Sequence, residues 1–200
     1  MTVLAAHRWH TNGHMIADVA QLGYLDGRVF DATYGQGAFW KIWRPENLVT
    51  NDLHTDADHH YDFRMFPREW QSFFDAVVFD PPYKLNGTSR PQDFATDNPY
   101  GVAGPYVSAK ARDALMVDGL IQCSWVTRRY LLVKCQDQVC SGHMHWQTVM
   151  MIDAARTWSM ELVDRFDLLG KHRPQPMEGR QQKHAHGRPS TLLVFRKDRA

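Results

Sequence analysis

Asp80-Pro81-Pro82-Tyr83 is the stretch of this 200-residue chain whose residue types most plainly suit chemistry. An acid and the backbone carbonyl after it can accept hydrogen bonds from an amino group, and a tyrosine ring can stack on a flat heterocycle. Two prolines hold these groups in a rigid turn. The set suits a reaction on the exocyclic amine of a base. The preceding run, Phe74-Asp75-Ala76-Val77-Val78-Phe79, reads as a short buried strand, apolar and β-branched, which the prolines stop. Open α/β sheets bind ligands at the carboxyl ends of their parallel strands. A bare D-P-P-Y is also an ordinary way to end a strand, so its surroundings must decide.

Two further constellations point the same way. Asp31-Ala32-Thr33-Tyr34-Gly35-Gln36-Gly37 follows another short apolar run. A strand leading into G-x-G lets backbone approach a ligand closely, because glycine has no Cβ to clash. Position 40 is Trp, so the third glycine of the dinucleotide fingerprint is missing, and a nucleoside without phosphates fits better than a pyrophosphate. A simple tight turn is the competing reading. Asp52 ends the next strand-like run, where an acid can accept from both ribose hydroxyls; as a loop acid it could equally cap a helix. Asp62 either accepts from an adenine amino group or caps a turn.

The elements that must position these residues alternate in type. Residues 11–25 carry apolar positions at helical spacing, with Thr11 or Asn12 as N-cap, and 28–34 read as the first strand. Further strands are expected over 48–53, at the very short Tyr61-Asp62-Phe63, at 74–79, 130–135, 161–169 and 190–196. Helices are expected over 106–126 and 148–158, and long polar loops over 84–104 and 170–189. Strands alternating with helices imply a mostly parallel sheet covered on both faces. A last strand that returns after a loop would run antiparallel to its neighbour.

Composition narrows the class. With 44% hydrophobic, 12% aromatic and 22% charged residues, the chain reads as one globular α/β domain spanning 1–200. A net charge of only +1 means that a nucleic-acid surface must come from clustered cations. No apolar run reaches the ~18 residues of a membrane span. Three cysteines, an odd number, argue against a disulfide framework, and with no leader-like start they suggest a reducing, cytoplasmic location. Cys135, Cys140, His143 and His145 form C-x4-C-x2-H-x-H, which is not a usual zinc spacing, nor is the cluster His54, Asp56, Asp58, His59, His60; no metal is expected. The absence of G-x-S-x-G, P-loop and H-E-x-x-H motifs leaves hydrolase and nucleoside-triphosphate readings unsupported.

With these motifs in this order, the sequence resembles the S-adenosylmethionine-dependent amino-group methyltransferases that make N6-methyladenine or N4-methylcytosine in DNA. Asp31 to Gly37 looks like their cofactor loop, with Ala32-Thr33 where Pro-Phe is common, and Asp80-Pro81-Pro82-Tyr83 matches their [D/N/S]-P-P-[Y/F/W] motif in full. The similarity runs from about residue 12 to 197 and is greatest to small phage- or actinobacterial-type methylase domains, through Lys134-Cys135-Gln136-Asp137-Gln138 as well. It implies a class I, Rossmann-like fold with a mostly parallel seven-stranded sheet and an antiparallel last strand. It also implies S-adenosylmethionine as cofactor, held by Asp31, Thr33, Tyr34, Gly35, Gly37, Asp52 and Asp62, with Asp80 to Tyr83 catalytic. Aspartate in first position favours adenine N6 over cytosine N4. An RNA methyltransferase acting on guanine N2 and an inactive nucleic-acid-binding relative remain open alternatives.

The implied partner is DNA, or RNA in the alternative. Lys84 and Arg90 in the first long loop, and Lys171, Arg173, Arg180, Lys183 and Arg188 in the second, are the cations expected to meet phosphates. A solvated loop explains the second cluster equally well. Little chain remains for a separate recognition domain, and a homodimer is one way to supply that surface.

Overall fold

In a computed structural model, residues 9–85, 108–169, 184 and 189–198 are described. Among these residues three α-helices, α1 (Asn12–Ala20), α2 (Ala109–Val126) and α3 (Gln147–Arg156), accompany eight strands. These are β1 (Arg28–Asp31), β2 (Asn47–Thr50), β3 (Phe74–Phe79), β4 (Thr127–Cys135), β5 (Gln138–Cys140), β6 (His143–His145), β7 (Met160–Leu168) and β8 (Ser190–Lys197). Six form one sheet in the order β2-β1-β3-β4-β8-β7. The pairs β2–β1, β1–β3 and β3–β4 are parallel, and β8 runs antiparallel to both β4 and β7, as expected of the last strand.

Strand residues alternate between two apolar layers. Phe30, Val77, Phe79, Leu131 and Val133 join Met116, Leu120 and Cys123 of α2 and Met151 and Ala155 of α3. On the other face Val29, Val78, Leu132 and Val194 join Met15, Ile16 and Val19 of α1. Burial on both faces explains why these strands read as continuous apolar runs. Thr11 caps α1 by accepting the His14 N–H, and Ser108 caps α2 by accepting the Ala111 N–H. At the other end of α2, Lys197 donates to the Ser124 and Thr127 carbonyls at 2.9 and 2.7 Å.

Two local expectations are corrected. Tyr61-Asp62-Phe63 is not a strand; a single parallel bridge, Asn51 to His59, lies beyond β2 instead. Side chains there capture the backbone groups a ladder would use. Asp58 accepts from the Thr50 N–H, Asp52 from those of His54 and Thr55, and Asn51 from that of Tyr61. The main sheet therefore has six strands among the described residues rather than seven. Conversely, β5 and β6 form an unexpected hairpin, turned by Ser141 (φ 50°) and Gly142 (φ 79°). Among the described residues no helix is long and apolar enough to cross a membrane.

Candidate active site

The loops after β1, β2 and β3 meet at the carboxyl edge of the sheet, and hydrogen bonds weld them together. The Tyr34 N–H donates to the Asn51 carbonyl (3.0 Å), and the Gly35 N–H to Asp52 Oδ2 (2.9 Å). The Asp80 N–H donates to Thr33 Oγ1 at 2.7 Å. Gly35 and Gly37 both have left-handed backbones (φ 53° and 63°), and a Cβ on Gly37 would stand 2.8 Å from the Tyr34 hydroxyl. Glycine is thus required at 37 both for its backbone and for the closeness of the tyrosine. An open pocket of about 290 Å³ is lined by Tyr34, Gly35, Gln36, His54, Thr55 and Asp56.

The acids have distinct environments. Asp31 is buried, accepting from the Thr33 N–H (3.0 Å) and Trp40 Nε1–H (2.7 Å). Burial pushes its pKa up to about 7, against the pull of those two donors. It organises the loop from beneath. Burial also raises Asp52, but the N–H groups of His54, Gly35 and Thr55 outweigh it and hold this carboxyl below its ordinary value. A carboxylate has about four acceptor positions; three are taken by N–H groups, leaving room for a hydroxyl. Asp62 is paired with Arg64 (Nε 2.9 Å, Nη2 2.5 Å), which lowers its pKa, and its neighbour Tyr61 is held by Asn51.

Asp80 differs from all of these. Its Oδ1 is buried yet has no hydrogen-bond partner among the described residues. An unsatisfied buried oxygen costs about 1–3 kcal/mol, so it needs an explanation. Burial raises the Asp80 pKa, opposed by the positive charges of Lys134 and Lys84.

Beyond Asp80 the chain continues as a tethered strap. The Tyr83 N–H turns back to the Pro81 carbonyl at 2.6 Å, which leaves that oxygen a second lone pair. The Tyr83 carbonyl accepts from Gln138 Nε2 (2.8 Å) and Gln147 Nε2 (2.9 Å), and the Leu85 N–H donates to Gln138 Oε1 (2.8 Å). The half-buried Tyr83 packs against the apolar layer beneath α2 and α3, and Lys84 is exposed just beyond it.

The structure therefore gathers Asp31, Thr33, Tyr34, Gly35, Gly37, Asp52 and Asp80 through Tyr83, while the Asp62 carboxylate is engaged by Arg64. Arg90, Lys171, Arg173, Arg180, Lys183 and Arg188, with most of both long loops, lie outside the described residues. Sequence reasoning gave no individual role to Asn51, Gln138 and Gln147, or to Lys134, whose burial in β4 is complete. A lysine inside the apolar run Leu131-Leu132-Val133-Lys134-Cys135 was the visible signal. Cys123, Cys135 and Cys140 are free and buried, and no group of three or more metal-ligating side chains occurs among the described residues.

No family model matches the sequence, and no curated protein matches it. Solved structures do match in shape. Magnesium protoporphyrin IX methyltransferase from Synechocystis PCC 6803, with bound S-adenosylhomocysteine, aligns at TM-score 0.53 and 8% identity over 94% of this chain and 81% of that one. A SAM-dependent methyltransferase from Archaeoglobus fulgidus aligns at TM-score 0.51 and 10% identity over 94% and 95%. The chain has the Rossmann-like fold of class I S-adenosylmethionine-dependent methyltransferases.

Proposed function

We propose that this protein transfers a methyl group from S-adenosylmethionine to the exocyclic amine of a nucleic-acid base, adenine N6 in DNA foremost. The observation that carries this reading is the buried Oδ1 of Asp80, unpartnered among the described residues, followed at once by the Pro81 carbonyl with its second lone pair. Two adjacent acceptors, one open and one with a lone pair to spare, suit an NH2 group. Cytosine N4 and guanine N2 present the same group, in DNA or RNA.

The residues also suit the cofactor. The Gly35-Gln36-Gly37 turn gives close backbone approach, and Asp52 keeps an acceptor position for a ribose hydroxyl beside the open pocket. When bound, S-adenosylmethionine supplies a sulfonium methyl group activated toward nucleophiles.

A base amine is a poor nucleophile because its lone pair is delocalised into the ring. Asp80 and the Pro81 carbonyl hold its two hydrogens and favour a pyramidal nitrogen with its lone pair free. With the methyl donor bound, the nitrogen would displace its sulfur at the methyl carbon, and Asp80 would take the proton the amine then sheds and pass it to solvent. Tyr83 stacks on the base, which must leave its duplex to reach the site. Catalysis is then mainly positioning and electrostatics. Asp80→Ala is expected to lower methyl transfer at least 100-fold while S-adenosylmethionine binding, read by calorimetry, stays within about threefold. Transfer that survives the substitution would remove Asp80 from the mechanism.

A further inference from the structure

The register of the parallel β3–β4 pair puts Phe79 beside Val133, so Asp80 and Lys134 come next in line on neighbouring strands. Val133 and Cys135 face the α2–α3 layer and Leu132 faces α1, so Lys134 projects toward α1. Its Nζ there donates to Asn12 Oδ1, in the first turn of α1, at 2.5 Å, and lies 5.7 Å from the Phe39 ring centroid. The side chain is fully buried. A lysine is rarely buried unless it is paired, and an asparagine supplies no charge.

We propose that Lys134 is a positioning residue for Asp80: it supplies the counter-charge that keeps the carboxylate an acceptor, while spending a hydrogen bond on Asn12 and leaving Asp80 Oδ1 open for the substrate. The inference rests on Asp80 as the amine acceptor. A lysine bonded directly to Oδ1 would occupy the position the amine needs. One held by α1 delivers its charge through a low-dielectric layer, where it acts strongly without contact. It also joins α1 to the catalytic edge.

The charged and titratable groups around the pair are few among the described residues. Asp80 feels Lys134 from β4, Lys84 from the strap and Asp31 from the end of β1. Lys134 feels Asp80 and the Cys135 thiol, while α1 offers the neutral Asn12. Burial lowers the lysine's pKa and raises the aspartate's, and each opposes the shift of the other.

The test is a ¹³C NMR titration of the Asp80 carboxyl in the wild type and in Lys134→Met, which keeps the stem and removes the charge. The Asp80 midpoint is expected to rise by about 1–3 pH units, and the acid limb of the methyl-transfer profile to move up with it. An unmoved midpoint would overturn the proposal. If Lys134→Met does not fold, Asp80→Asn reports from the other side: the Lys134 midpoint, read at its ¹³Cε, should fall by a similar amount, and a constant value there would equally overturn it. A midpoint that moves in a protein transferring no methyl group upholds the Lys134–Asp80 coupling while removing the proposed function.

Discussion

Gly119 offers a test in which helix propensity and packing predict opposite signs. It lies inside α2, where replacing glycine by alanine ordinarily stabilises by about 1 kcal/mol. Here the new Cβ would point into the layer beneath the site. It would stand 2.7 and 2.9 Å from Phe63 Cδ2 and Cε2 and closer still to Phe79 Cζ, which no non-bonded carbon pair tolerates. These are ring atoms in mutual contact, with centroids 5.2 Å apart, and Phe79, fully buried, cannot simply swing aside. Overpacking of this kind costs about 1–3 kcal/mol, and with contact to two rings the upper half of that range applies. Gly119→Ala should therefore destabilise by about 1–2 kcal/mol net, seen as a lower urea midpoint at unchanged slope. Phe79 directly precedes Asp80, so the strain should reach the strap beyond it as well. A variant more stable than wild type by about 1 kcal/mol would refute the packing argument, because propensity alone would then have decided the outcome.

The remaining predictions concern the acids and the strap. Asp31 has a folded pKa of about 7 against 3.8 for the free group, so the folded protein binds its proton more tightly than the unfolded chain does. That contribution to stability is present below pH 4, falls as pH rises to about 7 and is level above. Asp31→Asn should accordingly be costlier at pH 5 than at pH 8, by about 2–3 kcal/mol, in urea unfolding at the two values; an equal cost at both would mean that Asp31 is not held protonated. Gln147 is buried and shares the Tyr83 carbonyl with Gln138, and its Oε1 accepts the Gln136 N–H at 3.3 Å. Gln147→Leu should cost about 1–3 kcal/mol and lower kcat with little change in cofactor affinity, since the strap and not the cofactor loop is loosened. A rise in cofactor Kd alone would contradict that assignment.

Much of this architecture was legible from particular residues. The apolar runs ending at Asp31 and Phe79 identified buried parallel strands, and the return after a loop identified β8 as antiparallel. Asp31, Asp52 and Asp80 were legible as a set because all three follow strand ends. The failures have local causes. At Tyr61-Asp62-Phe63 the residue types suited a strand, but Asn51 takes the Tyr61 N–H and Asp58 the Thr50 N–H that a ladder beside β2 would use. The β5–β6 hairpin uses strands of three residues, too short for a period-2 pattern, although its Ser141-Gly142 turn was in plain view. The inward-turned polar residues were hardest to see: Lys134 and Gln147, which are buried, and Gln138, which is half-buried. Residue type alone places lysine and glutamine at the surface, and only the meeting of β4, α1 and α3 turns them inward.

The most direct test of the central claim is nucleoside mass spectrometry after incubation with methyl-labelled S-adenosylmethionine and either DNA or RNA. Labelled N6-methyladenine is expected from DNA, and none when Asp80 is replaced by alanine. Label confined to RNA or to cytosine N4 would keep the chemistry and move the substrate. No labelled base from either nucleic acid, in a protein shown to bind the cofactor, would contradict the account.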